Sequence, residues 1–251
     1  MSDPPRPDLG GTPPAGAGRP SIPPPPPGGR GVWVGVAGIV VAVALIAGGV
    51  VWVMRADGER SSSSESVTPA ALLARAPADA QAAGCGGVID VGPYLPADED
   101  AAHVDPQQMP PLSSWPSVPP TSGPHVGETL PAGQYVAPPP ILTVIHSLEH
   151  GAVVVWHAPD APAGELGRIA EFYRNPALGD HVIVAPYDYP EEGEAGRLSD
   201  GVTMALVAWH HQQLCAEVSL GAAFGFSADY AFPTFQGRPY LGDAREPGVG
   251  I

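Results

Sequence analysis

His146-Ser147-Leu148-Glu149-His150-Gly151 is the stretch on which the reading of the whole chain turns. It lies between two apolar runs, Ile141-Leu142-Thr143-Val144-Ile145 before it and Ala152-Val153-Val154-Val155-Trp156 after it, and each run reads as a buried strand. Two imidazoles and a carboxylate therefore stand where buried chain changes direction. Spacing decides what they can do together. In one helical turn His146 and His150 share a face and both reach a single ion; in an extended chain they lie about 13 Å apart and cannot. Gly151 favours the turn, because glycine supplies the left-handed residue that commonly closes a helix.

Upstream, residues 106–140 are dense in proline and show no hydrophobic period. Within them Pro119-Pro120-Thr121-Ser122-Gly123-Pro124-His125 reads as a rigid polar turn that fixes the place of His125. Before that come Cys85–Val91, a short strand after a tight turn, the acidic loop Asp98-Glu99-Asp100, and His103. Downstream, Leu166, Ile169, Ala170 and Tyr173 recur at helical spacing over 163–173, and Asn175-Pro176 and Gly179 end that helix. His181–Tyr187 and Val202–Trp209 are two further apolar runs. The carboxyl end is aromatic without period, from Phe224 to Tyr240, and is expected to wrap the domain rather than carry chemistry. Strands separated by loops give an α+β domain: a small mixed or antiparallel sheet, one main helix and long proline-rich loops.

The first part of the chain reads differently. Residues 1–31 hold eleven prolines and only Leu9 and Ile22 as large aliphatics, a composition that builds no core. Residues 32–54 run without a charge, long enough to cross a bilayer, with Trp33 and Trp52 near the ends. They are expected to form a single transmembrane helix. Residues 55–83 then read as a flexible stalk: a serine run, and an alanine-rich segment between Pro69 and Pro77 with too few large apolar residues to dock firmly. The folded domain is expected over 84–251.

Arginines flank the apolar span equally, Arg19 and Arg30 against Arg55 and Arg60, so charge does not orient it. Cysteine does. Cys85 and Cys215 both follow the span, and an even pair in a loop-rich domain suits an oxidising compartment. The tail is therefore placed in the cytoplasm and the domain outside the cell membrane, with Cys85 and Cys215 expected to be bonded; two free buried thiols are the other reading. Beyond Arg55 the chain carries twenty-four carboxylates against seven arginines and no lysine, a balance of −17. Such a domain repels phosphate backbones, which excludes nucleic acid as its partner and permits cations.

The motifs at 119–125 and 146–151, with Val153-Val154-Val155-Trp156, Val184-Ala185-Pro186-Tyr187 and Ala205-Leu206-Val207-Ala208-Trp209, appear in the order and spacing of a bacterial family. Over about Cys85–Cys215 the chain resembles the DUF3105 family, often membrane-anchored proteins of actinobacteria. The resemblance implies an extracytoplasmic domain and brings no activity with it. Members often have an aromatic residue where His157 stands and glycine where His210 stands, which argues against an inherited role for His157, His210 or His211.

His103, His125, His146, Glu149 and His150 remain as candidate ligands. Imidazole nitrogens with a carboxylate suit a four-coordinate zinc or a tetragonal copper(II) ion. Methionine is scarce beyond the span, so copper(I) is disfavoured. The expected set is His125, His146 and His150, with His103 or Glu149 completing or orienting it. A competing class is a cell-envelope module whose histidines are structural and whose proline-rich surface meets a protein partner. A third is a zinc hydrolase, because 146–150 spells H-x-x-E-H; the strand-like flanks leave room for only one helical turn, where the motif needs a long helix. No serine or cysteine nucleophile and no phosphate loop is visible, so no catalytic residue is assigned.

Overall fold

The computed structural model describes residues 68–251. The tail, the span expected over 32–54 and the start of the stalk lie outside them. No helix among the described residues is long and apolar enough to cross a membrane.

Helix α1 spans Pro69–Ala82, and the short strands β1 and β2 span Ile89–Asp90 and Gly133–Gln134. Helix α2 is Ile141–Glu149, followed by β3, Val153–His157, and α3, Ala163–Tyr173. A short α4, Pro176–Gly179, leads into β4, Val182–Pro186. Strand β5 is Met204–Ala208, β6 is His211–Cys215 and α5 is Leu220–Tyr230.

Six strands form one mixed sheet in the order β1-β6-β5-β3-β4-β2. β3 and β4 are parallel, with Val154 opposite Ile183, and a crossover through α3 and α4 joins them, as parallel neighbours require. β5 runs antiparallel to both β3 and β6. Trp209 and His210 alone connect β5 to β6, and the tight turn holds His210 at φ 61°.

The valine-rich strands read as unbroken apolar runs because both sheet faces are covered. Val153, Val155, Val184 and Leu206 pack toward Leu72, Ile169 and Phe224 of the helices α1, α3 and α5. Val154, Trp156, Ile183 and Val207 pack toward α2 and the proline-rich segment, which contributes Leu112, Trp115, Val126 and Leu130.

Several expectations are corrected here. Ile141–Ile145 is not a strand: with the motif that follows, it makes one continuous nine-residue helix in which eight residues are buried. A short run apolar on every side has no period to separate helix from strand, and burial overrides the weak helix propensity of its β-branched residues. The alanine-rich segment is no tether. Thr68 caps α1, with its side chain accepting from the Ala71 N–H, and the helix docks on α5 through the fully buried Leu72 and through Ala76. Small residues allow this close approach; Ala76 lies against Gly225. The aromatic carboxyl end includes a whole helix, α5, buried on most sides and so lacking an amphipathic stripe. The domain therefore has four helices of nine residues or more rather than one main one.

Leu72→Ala tests the docking of α1. Removing a fully buried leucine costs about 3 kcal/mol, read as a lower urea midpoint; a tether predicts no change.

Candidate metal centre

Three chain segments converge beside the carboxyl end of α2. The helix supplies His146 and Glu149, three residues apart and therefore on one face. His125 ends the proline-rich turn and is fully buried. His103 comes from the segment paired with it: the His125 N–H donates to the Ala102 carbonyl at 2.9 Å, and the Val104 N–H to the His125 carbonyl at 2.7 Å. One ligand atom each from His103, His125, His146 and Glu149 can be chosen so that all four lie within 4.8 Å of one another. The rings sit 4.9 Å (His103–His125), 5.0 Å (His103–His146) and 4.8 Å (His125–His146) apart between centroids. Three of the four residues are buried and His103 is exposed, so the group opens to solvent on the His103 side.

The hydrogen bonding leaves two buried nitrogens of this group without a partner. His125 Nδ1 lies 2.8 Å from the Gly123 carbonyl, which only accepts, so Nδ1 carries a proton and Nε2 faces inward. That atom is 3.1 Å from Glu149 Oε2, yet the angle is too poor for a hydrogen bond and Nε2 is buried without a partner. His146 Nδ1 is likewise buried and unpartnered. A proton shared between His125 and Glu149 would relieve one of these atoms and leave the other; a cation relieves both. The Gly123 contact also matches how ligating histidines are oriented, with the outer ring nitrogen donating to a carbonyl.

The protonation states suit ligation. Burial, and then the neighbouring His125, His150 and His103, lower the pKa of His146, which keeps its ring neutral at neutral pH. For Glu149 burial pushes upward, but the contact with His125 and the neighbouring His146 and Arg245 outweigh it, and the carboxyl lies below its ordinary value.

His150 is brought near but not in. Its ring meets His146 at 4.5 Å, whereas its nitrogens face the carboxyl-terminal segment: Nδ1 lies 3.2 Å from the Gly250 carbonyl and Nε2 lies 3.5 Å from Glu246 Oε2. The same segment caps α2, with the Glu246 and Gly248 N–H groups donating to the carbonyls of Glu149 and His150. Of the expected residues, His103, His125, His146 and Glu149 are thus brought together, and His150 stands beside them. Nor does the helix form the zinc-protease arrangement, since only one motif histidine enters the group and the glutamate lies among the ligand atoms. Gly151 does close the helix as expected, at φ 92°, where an added Cβ would lie 3.0 Å from the Phe232 Cβ.

Asp100 went unmarked in the sequence, where it is one acid in an acidic loop. It is 4% exposed and holds both histidine-bearing segments. One carboxylate oxygen accepts from Ser122 Oγ at 2.5 Å and the Tyr94 N–H at 2.6 Å; the other lies 2.9 Å from His210 Nε2. His210 in turn pairs with Asp243 at 2.9 Å, and His211 lies 3.4 Å from the same carboxylate. His157 and His181 contact backbone carbonyls of Ala158 and Val249. These four histidines have structural partners and stand outside the group.

Burial raises Asp100, but His210, Ser122 and the Tyr94 N–H outweigh it and its pKa falls below the ordinary 3.8. Burial lowers His210, but Asp100 and Asp243 outweigh it and its pKa rises above the ordinary 6.5. The stabilisation from His210 is complete below 6.5 and is lost as pH rises through the raised folded value. That from Asp100 is complete above 3.8 and is lost as pH falls through the lowered folded value. Both act together between those limits. His210→Gln should flatten the dependence of melting temperature on pH above that window, relative to the unaltered chain; an unchanged slope contradicts the pairing.

The fold and this group define an α+β domain with a histidine–carboxylate cluster at the end of a buried helix. The family model described as protein of unknown function (DUF3105) matches residues 108–240, more than half of the chain, and the chain belongs to that family. His125, His146 and Glu149 fall within the matched residues, and His103 and Cys85 precede them. No curated protein matches the chain, and no solved structure does.

Proposed function

We propose that this chain is a single-pass protein of the cell membrane whose extracytoplasmic domain binds one divalent metal ion, zinc or copper(II), through His103, His125, His146 and Glu149. The observation that carries the reading is the convergence of four ligand atoms within 4.8 Å, with two buried nitrogens lacking any hydrogen-bond partner. Three imidazoles and one carboxylate are borderline donors that suit either ion and give magnesium or calcium no preference. An acidic domain concentrates cations near the mouth at His103. The charge-free span at 32–54 and the cysteine pair support the membrane anchor and the oxidising side of it. His150 belongs to the fold in this reading, held by the carboxyl-terminal segment.

A ligand that binds only the folded state stabilises it by about 2.7 kcal/mol at a hundredfold excess over its dissociation constant. Zinc or copper(II) added to the chelator-treated full-length chain should therefore raise its melting temperature by several degrees, and magnesium should not. Equal shifts with magnesium, or none with any ion, contradict the proposal.

A further inference from the structure

A second cavity, of about 420 Å³, opens beside the metal group without including it. Its floor is apolar, made by Met109, Leu112, Val126, Ile141 and Leu142. Its rim is acidic: Glu128, Glu191 and Glu192 line it, and among the described residues no arginine or histidine does. Among the described residues none of these three carboxylates forms a salt bridge. Glu192 is held in place, because its Oε2 accepts from the Leu112 N–H at 2.9 Å. The volume falls in the range of small-molecule sites, which combine an apolar body with a few fixed polar groups.

We infer that this cavity binds a small organic cation, an amine with an apolar body, whose hydrocarbon lies on the floor while its ammonium meets the rim carboxylates. Unpaired carboxylates around an apolar floor reject anions and give a neutral apolar ligand no advantage; an amphipathic cation satisfies both surfaces. Inorganic cations lack the hydrocarbon to fill the floor. The field of the rim reaches the cavity wall: burial, then Tyr187, then Glu191 push the phenol of Tyr189 far up. The wall at Val126–Glu128 directly continues from His125, and the floor at Ile141 and Leu142 begins the helix that ends at Glu149. The cavity and the metal group therefore share two supporting elements, although neither needs the other occupied.

The test uses n-hexylamine and its anionic counterpart hexanoate with the full-length chain, read by saturation-transfer difference NMR and isothermal titration. Met109→Trp fills the half-exposed edge of the floor, and Glu128→Gln/Glu191→Gln removes two rim charges while sparing the Glu192 contact. Near-ultraviolet circular dichroism confirms that each variant keeps the fold. Hexylamine should bind saturably and at least about tenfold more tightly than hexanoate, with the double variant erasing most of that preference. Met109→Trp should abolish the binding. Equal binding of amine and hexanoate, no saturable binding, or full binding to Met109→Trp overturns the inference. All titrations are run with chelator present, so the outcome is independent of the metal proposal.

Discussion

His146→Leu is expected to weaken zinc or copper(II) binding by more than about a hundredfold, and at the same time to leave the metal-free protein no less stable. The first effect follows from removing one of three imidazoles that converge with Glu149; losing even an outer-shell partner of a metal ligand commonly costs between ten- and a hundredfold. The second is less usual. His146 is 6% exposed and its Nδ1 has no hydrogen-bond partner within the chain. A buried polar atom without a partner costs about 1–3 kcal/mol, and leucine replaces it with an apolar group of similar size. The metal-free melting temperature of the variant should therefore equal or exceed that of the unaltered chain. A histidine kept for packing alone predicts the reverse: lower stability on replacement, with no metal effect to lose. Metal titration and thermal melts in chelator, run on the same two samples, separate these outcomes.

The largest loss of stability is expected at the disulfide. Cys85 and Cys215 are bonded, 130 residues apart in sequence, and among the described residues no cysteine is free. The bridge joins the chain just after α1 to the end of β6, so it closes a loop around most of the sheet. The Cys85 N–H also donates to the Ala80 carbonyl, and the Gly86 N–H to the Leu214 carbonyl, which holds the two cysteines side by side. Closing so long a loop removes denatured-state entropy worth about 4–5 kcal/mol. For a domain of this size each kcal/mol shifts the melting temperature by about 2–4 °C, so Cys85→Ser/Cys215→Ser should melt about 10–15 °C lower. Because Leu72 and Cys215 share one side of the core, the variant should also expose α1 early, seen as faster hydrogen exchange over residues 69–82. A drop of only a degree or two would show that packing alone holds α1.

What the sequence made legible follows the physics of each segment. Val153–Trp156, the helix at 163–173 and the strand ends near Tyr187 and Trp209 were readable because strand runs, helical period and turn residues agreed there. Ile141–Ile145 reads as a strand although it is helical, because a helix buried on all sides shows no period. The alanine-rich segment reads as a tether because the residues that Leu72 packs with, Phe224 and Phe226, lie far along the chain on a helix that also lacks a stripe. Strand β6 was missed because His211-Gln212-Gln213 reads as polar, although Gln212 is buried with its amide donating to the Pro119 carbonyl.

The site divides in the same way. His146 and Glu149 were legible from helical spacing, and the prolines and glycine before His125 correctly signalled a fixed turn. Gly123, at φ 131°, has its Cα so close to the Trp115 indole that an added Cβ would lie 2.5 Å from Nε1. What spacing could not show was a contact made across the chain. His103 reaches the group through a two-residue pairing with His125, and His150 leaves it because Glu246 and Gly250 hold its ring. Asp100 carried no signal apart from its place in an acidic loop, yet it fixes both histidine-bearing segments.

Elemental analysis of the full-length chain, purified without a histidine tag and compared with His125→Ala/His146→Ala, tests the central claim most directly. The account predicts about one zinc or copper ion per chain in the unaltered protein and none in the variant, with near-ultraviolet circular dichroism showing both folded. A folded chain with its disulfide formed and no metal above background, before or after equilibration with either ion, would contradict it.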